Sequence, residues 1–256
     1  MNKRSMRILG FSQIRDMLVR LAPSRLSKEA ARALNPDTDE DTVVKSLTDT
    51  EEAVVCLERE GQIPLGGITD IRPFLEKAKR EVTLSADECI AVWENAQRYG
   101  QIQDFFAPKG EEYPQLSQRA ETLGDFSLLV QRVGAVFDEN HQVRDNASVE
   151  LARLRTRIAE LERRTKRYIQ QILADKSYQK YFQDTLVTVR NNRSVIPIKQ
   201  EYRHAFPGIV HDMSASGATL YVEPLAVVDA NNDLQTAKLA EEKEIERIYR
   251  RLTALI

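Results

Sequence analysis

Residues 148–182 read SVELARLRTRIAELERRTKRYIQQILADKSYQKYF. Leu151, Leu154, Ile158, Leu161, Thr165, Tyr168 and Ile172 recur at alternating spacings of three and four, and Arg, Glu and Lys fill most positions between them. This a/d heptad seam predicts one long helix whose apolar stripe needs a partner helix. At about 1.5 Å per residue it would reach roughly 50 Å. The partner is expected to start at Glu223-Pro224, since proline is tolerated as a first helical residue. Val227, Leu234, Ile245, Ile248, Leu252 and Leu255 keep heptad offsets there, interrupted by Asn231, Lys238 and Glu241. Two such helices flanking an insert suggest an antiparallel pair that goes out and comes back.

Between them the hydrophobic period falls from 3.6 towards 2. Leu186 to Arg190 reads as a strand, Asn191-Asn192 as a turn, and Arg193 to Lys199 as a second strand. Pro197 places that second strand at an edge or a bulge, because proline has no N–H to give. Ile209 to Met213 and Ala218 to Val222 are further strands, joined by the turn Ser214-Ala215-Ser216-Gly217. A β-rich tip over about 185–223 follows.

Upstream, amphipathic helices follow one another. Ile8, Phe11, Ile14, Leu18 and Leu21 give a first helix ending near Pro23. A segment started by Ser27 stops at Asn35-Pro36, and Asp37 to Glu40 caps a helix running to about Arg59. Gly66-Gly67 with Pro64 makes a loop. A short helix is expected from Asp70 to Lys79. Ser85-Ala86-Asp87-Glu88 is a capping box for a helix to about Phe106, and Tyr113 to Val136 supplies one or two more. The expected division is a helical body over 1–147 and the helix pair with its tip over 148–256. The chain stops at Ala254-Leu255-Ile256 without a terminator, as if cut through a helix.

The 256 residues include 37 Lys/Arg and 39 Asp/Glu, and the charge is uneven. Residues 1–147 hold 19 Lys/Arg against 25 Asp/Glu, whereas 148–184 hold 9 against 5. A basic distal half points to a polyanion partner, although a solvated coiled-coil face carries the same signature. The sequence has no 18-residue apolar run, no signal-peptide pattern, and only Cys56 and Cys89, isolated in helical patterns. No membrane association, no disulfide and a cytoplasmic location are expected.

Motifs for chemistry are missing. The sequence has no G-x-x-x-x-G-K-[ST], no G-x-G-x-x-G and no His/Cys cluster at zinc spacing, so neither catalytic residues nor a cofactor or metal site is expected here. His211, Asp212, Ser214 and Ser216 suggest a hydrolase only superficially, since strand neighbours point to opposite faces. Ser214 to Gly217 could turn its N–H groups towards an anion, but a hairpin turn with serines bonding their own backbone is the simpler reading. Arg190, Arg193, Lys199, Arg203 and His204 are the candidate nucleic-acid contacts, being turn- and strand-borne charges suited to phosphates rather than bases. Tyr202, Phe206 and Tyr221 could stack on bases or pack in the core.

Three segments carry a resemblance: Pro64-Leu65-Gly66-Gly67-Ile68-Thr69-Asp70-Ile71-Arg72-Pro73, Val187 to Arg193, and the long run from Gly208 to Pro224. They resemble the bacterial MutS-two family, a paralogue of the mismatch-repair protein MutS, and the likeness covers essentially the whole chain. It implies the N-terminal part of such a protein: a mainly α MutS-type core (lever) with a long antiparallel two-helix arm carrying a small antiparallel β-rich clamp. The mismatch-reading domain of MutS has no counterpart, and the Phe-x-Glu strings at Phe74 and Phe137 are chance matches. ATPase and Smr endonuclease domains, with their ATP and Mg, are implied beyond Ile256. So is a homodimer acting on branched or recombination-intermediate DNA, or on the rRNA of collided ribosomes. The alternative reading is a structural protein–protein interaction module without direct nucleic-acid contact.

Overall fold

Ser85 and Glu88 cap each other as their spacing predicts: Ser85 Oγ accepts the Glu88 N–H at 3.3 Å, and the Glu88 carboxylate accepts the Ser85 N–H at 3.0 Å. N-cap side chains of Ser24, Asp39, Ser85 and Ser148 start four of the helices in the computed structural model, which describes residues 3–256. The helices are α1 (Lys3–Ile8), α2 (Phe11–Leu21), α3 (Arg25–Ala33), α4 (Glu40–Glu60), α5 (Arg72–Lys79), α6 (Ala86–Phe106), α7 (Pro114–Glu121), α8 (Ser127–Gly134), α9 (Val149–Ala174) and α10 (Val228–Leu255). Four strands, β1 (Thr188–Arg190), β2 (Arg193–Lys199), β3 (Gly208–Met213) and β4 (Thr219–Pro224), lie between α9 and α10. The protein is therefore mainly helical with one small antiparallel sheet.

Two compact units divide the chain. One contains the residues up to Arg144 together with Tyr249–Ile256, and the other is Asp145–Ile248. The expected first helix is two, because Gly10 takes a left-handed φ of 68° between α1 and α2. In the first unit Cys56, Ile63, Ile102, Phe106, Tyr113 and Ala120 form a core. Both cysteines are buried free thiols, and burial pushes the Cys89 thiol up to about 12. Tyr113 lacks a capping side chain of its own for α7, and Glu52 of α4 supplies one, its carboxylate accepting the Gln115 and Leu116 N–H groups at 3.1 and 2.7 Å. Asn95 fixes the Gly66-Gly67 loop by bonding both the N–H (3.0 Å) and the carbonyl (2.8 Å) of Thr69. The last turn of α10 belongs to this unit: Thr253 Oγ1 accepts the buried Leu84 N–H at 2.9 Å, and Tyr249 stacks on Phe137.

In the second unit α9 and α10 run antiparallel. Ser148 meets Glu244, Arg155 meets Glu241 at 2.8 Å, and Glu162 meets Lys238 at 3.0 Å. Ile158, Leu161, Leu234 and Ala237 form a buried apolar seam beside and beyond those pairs. Helix α9 is shorter than its heptads suggest. The Asp175 carboxylate accepts the N–H and hydroxyl of Ser177, and that local turn ends the helix. Its 26 residues measure about 39 Å rather than 50. The start of α10 is also later than expected. Pro224 completes β4, where it pairs with Gly208, and a 3₁₀ turn over Leu225–Val227 precedes the helix.

The sheet order is β1-β2-β4-β3, all antiparallel. The Asn191-Asn192 turn has φ of 49° and 61°, as a tight two-residue hairpin requires. Contrary to the sequence expectation, β2 is an inner strand, with the irregularity on β3 between Val210 and Asp212. Proline is tolerated for a geometric reason. Its carbonyl accepts the Gln183 N–H at 2.9 Å, and a strand residue's N and O point to the same side, so the missing N–H faces away from β4. The β1 ladder has already ended there, at the pair Thr188 and Val195. Ile196, Ile198, Leu220 and Val222 bury one sheet face against Ile169 of α9, Phe182 and Phe206.

Candidate nucleic-acid interface

Strand alternation puts Arg190, Arg193 and Lys199 on the sheet face opposite that core, with Arg190 directly across from Arg193. The two arginines are not equivalent. Arg193 turns inward: its Nη1 donates to Glu223 at 2.8 Å and its Nη2 to Asn232 at 2.7 Å. Glu223 is wholly buried near the end of β4 and also accepts from Asn231 Nδ2 at 2.7 Å and His211 Nε2 at 2.6 Å. Asn231 further bonds the Ser194 backbone. One carboxylate thus ties β2, β3, β4 and α10 together. Burial pushes the Glu223 carboxyl up, but the hydrogen bonds from Asn231, Arg193 and His211 outweigh it and hold the group below its ordinary range.

Arg190 stays at the surface, in an ion pair with Asp212 (3.2 Å) and with its guanidinium 4.3 Å from the Tyr221 ring centroid. Lys199 ends β2 half-exposed. One 3₁₀ turn further, Arg203 and His204 are exposed, and no ion pair holds any of these three among the described residues. The structure therefore brings Arg190, Arg193 and Lys199 to one face and leaves Arg203 and His204 on the adjoining turn. Of the aromatic candidates, Phe206 is buried edge-on against Phe182 and Tyr178, and Tyr202 packs on Tyr181. Tyr221 underlies Arg190.

His211 and Asp212 do not pair with each other, and their partners are the acid and base just named. The Ser214 to Gly217 turn closes on itself: Ser214 Oγ accepts the Thr219 N–H at 3.0 Å, and the Gly217 N–H donates to the Ser214 carbonyl at 2.8 Å. Two of its four amides, those of Ser214 and Gly217, are thus bonded to backbone carbonyls as in a hairpin turn. No metal-binding group of His, Cys, Asp and Glu exists among the described residues, and no described helix is long and apolar enough to cross a membrane.

Sequence reasoning missed two features. The Glu223 hub was signalled by Asn231, a polar residue interrupting an apolar heptad. The second feature is the outward face of α9, where Arg157, Arg163, Arg164, Lys166 and Arg167 are all exposed. Reading the heptad register outwards instead of inwards locates it.

These features define a class: a helical region bearing an antiparallel helix pair and a four-stranded sheet, with basic residues at its surface. No family model matches the chain. It is 38% identical over 259 residues to endonuclease MutS2 of Geobacillus sp. (strain WCH70), covering 100% of this chain and 33% of that protein. It is 39% identical over 256 residues to the putative endonuclease MutS2 of Bacillus subtilis (strain 168), covering 99% and 33%. Endonuclease MutS2 of Acetivibrio thermocellus is 37% identical over the whole chain. The chain is thus related over its whole length to MutS2 proteins, and it spans about a third of the length of the curated relatives it matches.

Proposed function

We propose that this chain is the gripping region of a MutS2-type protein. In this reading residues 1–147 are the core or lever. The α9–α10 pair is an arm, and the sheet over about 185–223 is a clamp that touches the phosphates of branched DNA or of rRNA. The observation that carries the proposal is a half-exposed Lys199 at the end of β2, with exposed Arg203 and His204 on the turn after it and none of the three in an ion pair among the described residues, in a chain related throughout to proteins named as endonucleases. Arg190 contributes from the same face. Arg193, though on that face, is turned inward and holds the strands. ATP hydrolysis, DNA cleavage, dimerisation and a cytoplasmic setting belong to the whole protein. Lever motion along the helix pair would couple them to the clamp.

The test is binding of four-way DNA junctions and of structured rRNA fragments between 50 and 200 mM salt. Lys199→Glu with Arg203→Glu is expected to weaken binding at least tenfold and to lower the salt slope by about two units. Unchanged affinity and slope would remove the clamp contact.

A second reading, a protein-docking module, is favoured by apolar exposure on and beside the sheet: Val189 of β1, Met213 of β3 and Leu186 just before β1 are each more than half exposed. It predicts a salt-insensitive interaction lost on substitution of Val189 and Met213.

A further inference from the structure

Free positive charge is denser along α9 than at the sheet. Over Val149–Ala174 there are seven Lys/Arg against three Asp/Glu, whereas Val228–Ile248 of α10 has three against six. The helix pair is thus polarised, basic on one helix and acidic on the other. The seam uses up part of this charge, since Arg155 pairs with Glu241 and Asp145, and Glu162 pairs with Lys238. Arg153 is held by Glu150.

What remains lies away from the seam. Arg163, Arg164, Lys166 and Arg167 line one shallow depression with Glu160 and Gln170, and Arg157 lies a turn and a half before them. Arg164 packs against Tyr168, its guanidinium 5.4 Å from the ring centroid. No acidic side chain lies within ion-pair distance of Arg157, Arg163, Lys166 or Arg167 among the described residues. Ordinary solvated coiled-coil surfaces intersperse both signs; within this depression only Glu160 does so, although Lys166 also borders a groove with Glu162 and Glu242.

We infer that the outward face of α9 is a second phosphate-backbone surface, fitted to double-stranded nucleic acid and read without regard to sequence. The inference rests on the nucleic-acid reading of this region but not on the clamp contacts. Arg157 to Arg167 spans ten residues, about 15 Å of helix axis. Helical geometry puts Arg163 and Arg167 at the centre of this face and Arg157 and Lys166, nine residues apart, on its opposite flanks, so a duplex laid against it meets the first two directly and the long side chains of the flanking pair at its edges. The guanidinium groups suit phosphate geometry, and cations outnumber the one amide side chain in the depression, Gln170, four to one. The acidic α10 keeps the opposite side of the pair off the polyanion.

The experiment titrates the 256-residue chain with one DNA duplex and the RNA duplex of the same sequence, by fluorescence anisotropy at several salt concentrations. Arg157→Gln, Arg163→Gln, Lys166→Gln and Arg167→Gln combined is expected to lower the salt slope by roughly three to four units on both duplexes. A companion variant with Arg157→Lys, Arg163→Lys and Arg167→Lys keeps the charge and should bind close to wild type. Lys199→Gln with Arg203→Gln should retain the α9 contribution. If the α9 Gln variant keeps the full slope while the Lys199/Arg203 variant loses affinity, this inference falls and the clamp reading stands. If wild type binds neither duplex, the nucleic-acid reading itself fails. If the Lys companion is as impaired as the Gln variant, charge is not the cause and the surface is wrongly assigned. Binding of only one duplex type assigns the source of the phosphates.

Discussion

The Arg193 guanidinium lies 2.8 Å from the Glu223 carboxylate, and the Glu223 side chain is only 1% exposed. A buried charge of this kind is tolerated because every strong bond it needs is made, by Arg193, Asn231 and His211. The arginine that looked from the sequence like a phosphate contact is thereby spent inside the protein. Its neighbour Arg190 keeps a surface role because its acid, Asp212, is exposed.

Arg193→Met is accordingly expected to act on stability first. Removing one partner of a buried ion pair typically costs about 3–5 kcal/mol, because the other charge is stranded. Urea unfolding of the chain measures it, with Lys199→Met as the exposed comparison, expected within about 0.5 kcal/mol of wild type. The double variant Arg193→Met with Glu223→Gln should recover part of the loss. A cost for Arg193→Met no larger than that of Lys199→Met would contradict the hub.

Acid sensitivity should trace to the same carboxylate. The Glu223 pKa in the folded chain lies below its ordinary value, as hydrogen bonds and the Arg193 charge outweigh burial. A depressed carboxylate stabilises the fold fully above its unfolded pKa and loses that contribution as pH falls through the folded value. Wild type should therefore lose stability relative to Glu223→Gln as pH drops below about 4.3, the ordinary glutamate value. Parallel stability curves for the two proteins between pH 6 and 3 would assign the acid transition elsewhere.

Much of this organisation could be read from residues alone. The heptads of α9, the Ser85 capping box and the Asn191-Asn192 hairpin are local signals, and each produces the element it announces. The misplacements arise where tertiary context decides. Pro224 is a plausible helix start by itself, yet pairing with Gly208 keeps it in β4. Pro197 looks like an edge residue until the end of β1 leaves its N–H side free. At the candidate site, composition located the basic half of the chain. Which cations are free is a pairwise property, and the partners of Arg193 lie 30 and 39 residues away.

Gly208 should prove intolerant for a reason of space. A Cβ there would come within 2.3 Å of Val222 Cγ1 and 2.7 Å of the Glu223 carbonyl oxygen, and the second obstacle is backbone that cannot rotate aside. Gly208→Ala is expected to destabilise by about 1–3 kcal/mol, the range for overpacking. Because β3 must shift, His211 should lose its bond to Glu223, so the acid transition of the Ala variant should move towards that of Glu223→Gln. Wild-type stability in Gly208→Ala would show that β3 is not held this closely to β4.

Thr165 offers the opposite case, a substitution expected to improve the protein. It occupies a heptad seam position of α9, is 1% exposed, and its hydroxyl has no hydrogen-bond partner. A buried hydroxyl without a partner costs about 1–3 kcal/mol relative to water. Valine has the same branched shape and a similar helix propensity, so it removes the polar atom without opening a cavity. Thr165→Val is therefore expected to raise stability by about 1 kcal/mol in urea unfolding. Thr165→Ala should lower it, since it deletes a buried methyl as well as the hydroxyl. A loss with both substitutions would mean that the hydroxyl is bonded after all, and that the α9–α10 seam carries a polar contact at its centre. Duplex binding by Thr165→Val should match wild type, because the side chain faces the seam and not the basic surface. That separation distinguishes what holds the helix pair together from what the pair would hold.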